Sequence, residues 1–287
     1  MQDTTLIDLV IPWVDNQDLV WRKTFIDYCF KHRLNEYVAQ LYGDRFNGIR
    51  YIDYQLKLVT KNMPWVNKIY LLLSNIEQAP KNLPSNCEIV LHKDFIHRQF
   101  LPTFNSTTIE MFLWNIKGLS EHFIYANDDM LPIGKLAPTN FFEKDKIKIT
   151  WRERTFEYGD SIFNYQCHNN CVSITKRLKI DFDNKKIYLP LHSFTPMIRS
   201  HCKECFDLIK DLVLPHISAF RTRKQHNQYI YPLYERFKYG TLDSDIDFLY
   251  TELKSDFDFD HQILCVNIES KKEFRDKFLK GIKELCK

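Results

Sequence analysis

The first patterned segment, Leu6 to Val14 (LIDLVIPWV), is apolar at all but one position and opens directly into Asp15-Asn16-Gln17-Asp18. That length and hydrophobicity predict a buried strand of an α/β sheet that delivers a loop to the sheet's carboxyl edge. The apolar spacing turns helical from Trp21 to Gln40 and again from Tyr51 to Thr60, up to the breaker pair Met63-Pro64. KIYLLL (Lys68 to Leu73) predicts a second strand ended by Ser74-Asn75, and CEIVL (Cys87 to Leu91) a third. After Leu101-Pro102, NSTTIEMFLWNI carries an Asn/Ser N-cap signal, with Glu110 four residues beyond Ser106, and predicts a helix from about Ser106 to Gly118. It ends before a strand, His122 to Ala126, that runs into Asn127-Asp128-Asp129-Met130.

The second half predicts helices over Lys203 to Leu212, Tyr229 to Tyr239 and Lys271 to Cys286, and no Gly, Ser or Pro linker divides the chain. The expectation is therefore a single domain over residues 1–287. Its fold class is α/β, a Rossmann-like or GT-A-like mixed sheet over about 1–135, with a mainly helical remainder over about 136–287.

With 44% hydrophobic and 27% charged residues, disorder and fibrous folds are excluded. Forty basic residues against 37 acidic give a net charge of +3, too mild and too dispersed for a nucleic-acid footprint. No basic segment precedes an apolar stretch near residue 1, and nowhere do 18 apolar residues run together, so neither export nor a membrane span is expected. On that basis the eight cysteines are expected to be reduced thiols in a cytosol. No GxGxxG or GxxxxGK[ST] occurs among the seven glycines, so any nucleotide must be held by other groups.

Two adjacent carboxylates at the end of a buried strand, Asp128 and Asp129, are costly unless a cation or substrate partners them. They have the form of an acidic pair that holds Mg²⁺ on a diphosphate; the plainer reading is a solvated turn. Asp243-Ser-Asp245-Ile-Asp247 and Asp256-Phe-Asp258-Phe-Asp260 read first as solvated faces, because the first lacks the glycine and Glu of an EF-hand. Cys167 and Cys171, with Cys202 and Cys205, could be two halves of a zinc site, although the first spacing is loose and structural thiols account for both pairs. His192 alone reads as a hydrogen-bonded structural histidine. Arg221, Arg223 and Lys224 near His226 could bind phosphate or simply be solvated, and Tyr229, Tyr231, Tyr234, Phe237 and Tyr239 read as a packing stripe.

In this order the segments resemble the Stealth family, the sugar-1-phosphate transferases of bacterial capsule and cell-surface polysaccharide synthesis, to which the lysosomal-enzyme N-acetylglucosamine-1-phosphotransferase is related. The resemblance covers most of the chain: IDLVIPWVDNQD (Ile7 to Asp18); Arg50 to Met130 with MPWVNKIYLLLSN, HKDFI, LPTFNSTTIE and FIYANDDM; LHSFTPM around His192; and FRTRKQHNQYIYPLY with CVN at Cys265 to Asn267. Asn16 stands where the family commonly has glycine, and asparagine also tolerates left-handed backbone. Asn227 stands where an acidic residue is often found, and Ile268 where Asp commonly follows CVN.

The resemblance implies transfer of hexose-1-phosphate or N-acetylhexosamine-1-phosphate from a UDP-sugar to a glycan hydroxyl, free or lipid-linked, with release of UMP. It implies Mg²⁺ (or Mn²⁺) held by Asp128, Asp129 and Asn267, and an arginine, Arg223 or Arg221, offsetting charge on the phosphoryl group. His192 is the first choice to take the acceptor proton, with Asp129 the alternative. Asp15, Asn16, Arg50 and Asn75 are assigned to the nucleotide, Asn105 and Glu110 to sugar or phosphate, and Asn127 to substrate. The competing readings are a GT-A-like glycosyltransferase releasing UDP and a non-catalytic glycan-binding partner of a capsule assembly complex. The implied location is cytoplasmic, peripheral at most to the inner face of the membrane, with no nucleic-acid partner.

Overall fold

The structure, a computed structural model, describes residues 5–42, 50–266 and 272–287. Its organising element is a five-stranded sheet. Strand β1 (Ile7–Pro12) lies at the centre, parallel to β2 (Ile69–Leu73) on one side and to β4 (His122–Tyr125) on the other, and β3 (Cys87–Leu91) extends the β2 side in parallel. Leu9 and Ile11 pack on one face with Ile52, Leu56 and Val59 of α2 (Tyr51–Asn62), whereas Val10 points to the opposite face with Tyr70, Leu72, Phe123 and Tyr125. Burial on both faces is what a run as apolar as LVI requires, and it is why β1 reads as a continuous apolar stretch rather than an alternating one.

Helix α1 (Leu19–His32) begins where the sequence offers Asp18, whose Oδ1 accepts from Trp21 N at 2.6 Å and from Asn75 Nδ2 at 3.0 Å. That ties the loop after β1 to the loop after β2. Past β3 the chain forms one turn, α3 (His92–Phe95), and then α4 (Ser106–Glu110), capped by Asn105. The helix expected to reach Gly118 stops at Glu110 and resumes only as a 3₁₀ turn over Leu113–Asn115. Three successive β-branched residues (Thr107, Thr108, Ile109) give it weak helical support, and Asn115 donates instead to Phe95 O at 2.7 Å.

The second half contributes β5 (Met130–Leu131), two short strands β6 (Phe142–Glu143) and β7 (Lys146–Ile147), and β8 (Trp151–Thr155), which pairs with β9 (Lys186–Pro190). Helix α5 (Ile162–Leu178) lies between β8 and β9 in the chain and has no counterpart in the sequence reading. Strand β10 (Thr195–Ile198) then joins the main sheet antiparallel to β4, giving the order β10-β4-β1-β2-β3. Helices α6 (Arg199–Val213) and α7 (Ile230–Lys238) pack with α5 on the Val10 face. Strands β11 (Phe248–Thr251) and β12 (Ile263–Val266) form a small sheet with β5, covered by α8 (Lys272–Leu285). The α/β class with a mixed sheet is the one the sequence predicts. Among the described residues no helix is long and apolar enough to cross a membrane.

Candidate active site

An open cavity of about 280 Å³ lies along the carboxyl edge of the main sheet, lined by residues that follow β1, β2, β3 and β4. The β4 strand ends at Tyr125, and after Ala126 the turn Asn127-Asp128-Asp129 is fastened from three directions. Buried Gln55 of α2 donates its amide to Asn127 O (2.7 Å) and Met130 O (2.6 Å), Met130 N donates back to Asn127 O, and Val266 N donates to Asp129 O at 3.0 Å. These bonds fix where the two carboxylates emerge.

Asp128 and Asp129 both line the cavity, and burial raises the pKa of each; for Asp128 the neighbouring Asp129 charge raises it further. Asp129 Oδ1 is buried without a hydrogen-bond partner. Paired, partly desolvated carboxylates with an orphaned oxygen fit a divalent cation, and their hard oxygens suit Mg²⁺ or Mn²⁺ shared with phosphate. Asn267, the third expected ligand, lies outside the described residues. Its neighbour Cys265, buried on β12, comes close enough to join Asp129 and His192 in the one group of three potential metal-ligating side chains found among the described residues, their ligand atoms within 4.8 Å of one another.

His192 reaches the same edge from β10. Thr195 pairs with Tyr125, so the residues just before Thr195 lie beside those just after Tyr125. The ring's Nδ1 is 2.8 Å from the Tyr229 hydroxyl, while Nε2 is 3.4 Å from Asn127 Nδ2 and 4.0 Å from Asp129 Oδ2. Asn127 is oriented by the Tyr125 hydroxyl, which donates to its Oδ1 at 2.7 Å, so its amide N–H faces the histidine. Nε2 is thus the acceptor and Nδ1 carries the proton. Burial pushes the pKa of His192 down to about 4, so the ring is neutral at pH 7.

The two candidate arginines separate. Arg221 lines the cavity and bonds Ser106 Oγ at the start of α4. Arg223 lies over the Tyr165 ring, 4.7 Å from its centroid, and faces Asp160 O, away from the cavity.

Asp15, Asn16 and Arg50 line the cavity as a group. Arg50 Nη1 is 2.6 Å from Asp15 Oδ2, and the guanidinium lies 5.0 Å from the centroid of the Trp13 ring. Asn75, Asn105 and Glu110 do not line it. Asn75 caps the 3₁₀ turn at Gln78 N and holds Asp18. Asn105, fully buried, bonds Ser218 O and Gln225 and fastens α4 to the 218–225 segment. Glu110 accepts from Gln228 N (3.2 Å) and lies 3.1 Å from the Tyr125 hydroxyl, whose one proton goes to Asn127; burial raises its pKa, with nearby Arg221 opposing. It braces the Tyr125–Asn127–His192 chain from behind.

The cavity also enlists Tyr51, Gln78, His92 and Phe104, which sequence reasoning did not single out for a site. The signals available were the HKDFI and LPTFNSTTIE blocks, which hold His92 and Phe104, and the position of His92 directly after the predicted third strand. The four cysteines Cys167, Cys171, Cys202 and Cys205 do not gather around a common point; they are buried thiols, with Cys167 accepting from Asn227 Nδ2 and Cys171 from Tyr188 N, each at 3.3 Å.

Residues 45–150 match the family model described as Stealth protein CR2, conserved region 2. The capsular polysaccharide phosphotransferase LcbA of Neisseria meningitidis is 30% identical over 235 residues, covering 77% of this chain and 62% of that protein. The capsular polysaccharide phosphotransferase cps1A of Actinobacillus pleuropneumoniae is 35% identical over 230 residues, 78% of this chain and 63% of its own. The exopolysaccharide phosphotransferase cps2G of Lactiplantibacillus plantarum is 37% identical over 191 residues, 66% and 53% respectively. The matched region thus spans less than two thirds of the length of each of these relatives.

Proposed function

The chain belongs to the Stealth family, and on that premise we propose that it is a phosphotransferase of capsule or exopolysaccharide synthesis. In this reading it transfers hexose-1-phosphate or N-acetylhexosamine-1-phosphate from a UDP-sugar to a glycan hydroxyl. The acceptor oxygen attacks the phosphorus that bears the sugar, the bond from that phosphorus to the bridging oxygen breaks, and UMP leaves with the bridging oxygen. The observation that carries the reading is an acidic pair and an arginine lining one cavity, with a neutral histidine just behind its lining, 4.0 Å from Asp129.

The roles follow from the geometry. His192 accepts the acceptor's proton at Nε2, and Tyr229 and Asn127 hold its ring and tautomer. The nearby Asp129 carboxylate stabilises the imidazolium that results. Arg221 offsets charge on the transferred phosphoryl group. Asp128 and Asp129 would hold Mg²⁺ or Mn²⁺, which neutralises diphosphate charge when bound. Arg50, stacked on Trp13 and oriented by Asp15, lies where it can meet the nucleotide's phosphate or ribose. The glycan is expected at the cytoplasmic face of the membrane, with the protein at most peripheral.

Product analysis tests this. Protein, Mg²⁺, UDP-hexoses and UDP-N-acetylhexosamines are incubated with a capsule-type glycan acceptor, and the nucleotide product is resolved. UMP together with a phosphodiester resonance in the phosphorus NMR spectrum is the expected result. UDP with a simple glycoside would overturn it in favour of glycosyltransfer.

A further inference from the structure

The strand order arranges the proposed chemistry in a line. His192 sits at the β10 flank, the acidic pair after β4, Trp13 and Asp15 after β1, Gln78 after β2 and His92 after β3. In an in-line displacement at phosphorus the leaving group departs opposite the attacking oxygen. The attacking hydroxyl is held next to His192, so UMP must extend away from it, across β1 and β2 toward β3. Three strand spacings of about 4.8 Å, roughly 14 Å in all, separate the acidic turn from the end of β3, a reach suited to an extended nucleotide.

What waits at that far end is a buried polar group with nothing to bind. His92 lines the cavity, is only 7% exposed, and its Nε2 has no hydrogen-bond partner. Its neighbour Gln78 is already committed, donating to Asp15 O (3.3 Å) and accepting from Ser74 Oγ (3.2 Å). Burial also keeps the His92 ring neutral, lowering its pKa to about 4. An uncharged imidazole with one open nitrogen is matched to a neutral, planar hydrogen-bonding edge and has no charge to offer a phosphate.

We infer that His92 is the residue that reads the nucleobase, its Nε2 bonding the edge of the uracil ring at the β3 end of the cavity. The inference rests on the UDP-sugar reading above, and it makes His92 a binding and specificity residue with no part in the phosphoryl step.

The test uses the full chain with Mg²⁺ and titrates UMP, CMP and inorganic pyrophosphate calorimetrically into wild type, His92→Phe and His92→Gln. Wild type is expected to bind UMP more tightly than CMP. His92→Phe should lose at least about tenfold in UMP affinity and most of the UMP/CMP preference, because a bonded edge would face an apolar ring, while pyrophosphate binding stays unchanged. His92→Gln, which can still donate and accept, should recover part of the loss, and KM for the donor should move with kcat held. Should the variants not fold, the side-chain nitrogen resonances of His92 in labelled wild type must shift on adding UMP and stay put on adding pyrophosphate. Unaltered UMP affinity and selectivity in folded His92→Phe, or an unmoved His92 resonance, overturns the inference and leaves the transferase reading standing. A wild type that binds neither UMP nor any UDP-sugar removes that reading and this inference with it.

Discussion

The Tyr229 hydroxyl lies 2.8 Å from Nδ1 of His192, and together with the Asn127 amide at Nε2 it fixes which nitrogen faces the acidic pair. Tyr229 is 2% exposed on the α5–α7 side of the core, so this single contact couples the chemistry to the packing of the second half. The proposed role of His192 as the base thereby gives a graded expectation. His192→Gln should lower kcat by about 10²–10⁴-fold. Tyr229→Phe removes one orienting bond and should cost about tenfold or less. Steady-state kinetics on both variants, with melting temperatures alongside, checks the order; equal losses would mean that Tyr229 does more than hold the ring.

The acidic turn allows function and stability to be separated. Asp129→Asn and Asp128→Asn are each expected to lose at least about 10²-fold in turnover. Both should melt no lower than wild type in metal-free buffer at pH 8, since each removes one of two like charges held half-buried side by side. A Tm rise on adding Mg²⁺ should be present in wild type and absent in both variants, as seen by scanning calorimetry.

The arginines make a paired comparison. Arg221→Ala is expected to reduce kcat by about 10³-fold or more, because its guanidinium faces the cavity. Arg223→Ala, which gives up a stacking contact on Tyr165 and a long bond to Asp160 O, should stay within about threefold of wild type, a loss of about 0.6 kcal/mol. The reverse ranking in an activity assay would move the phosphoryl-stabilising role to the other residue.

His226, 5% exposed and 2.8 Å from Ser173 Oγ, is held neutral by burial, its pKa lowered from 6.5 to about 4, with His216 adding to the effect. Between those values the unfolded chain takes up a proton that the folded chain refuses, so this contribution is complete above pH 6.5 and is lost as pH falls toward 4. The slope is roughly 1.4 kcal/mol per pH unit. The stability difference between wild type and His226→Phe should therefore shift against wild type by about half that amount between pH 7 and 6 and by close to that amount between pH 6 and 5, read from urea unfolding at those three values.

How much of this was legible in the sequence depended on whether a segment's partners were local. Strands β1, β2 and β4 announced themselves because each is buried on both faces and reads as an apolar run, edge strand β3 because its short apolar stretch is bounded by turn residues, and the acidic pair stood out because nothing nearby in the chain could neutralise it. The α5 helix was hidden because its buried face carries Gln166, Asn170 and Ser173, which bond the 222–227 segment and blur the apolar period. The β10 pairing was invisible for a different reason, since an antiparallel strand arriving about 70 residues after its partner leaves no local trace. The same non-locality hid His92, Gln78 and the nearness of Cys265 to Asp129, and it let Asn75, Asn105 and Glu110 be assigned to substrate when their side chains brace the framework. Arg221 and Arg223 differ by two positions, and only the tertiary path of their loop tells them apart.

Because β10 runs against β4, the histidine enters the site from a segment that a ribosome makes more than 60 residues after the acidic turn. A nascent chain that has emerged only through the acidic turn would carry the two carboxylates yet lack the histidine we propose as the base. For the proposed reaction, competence would then wait until β10 pairs with β4.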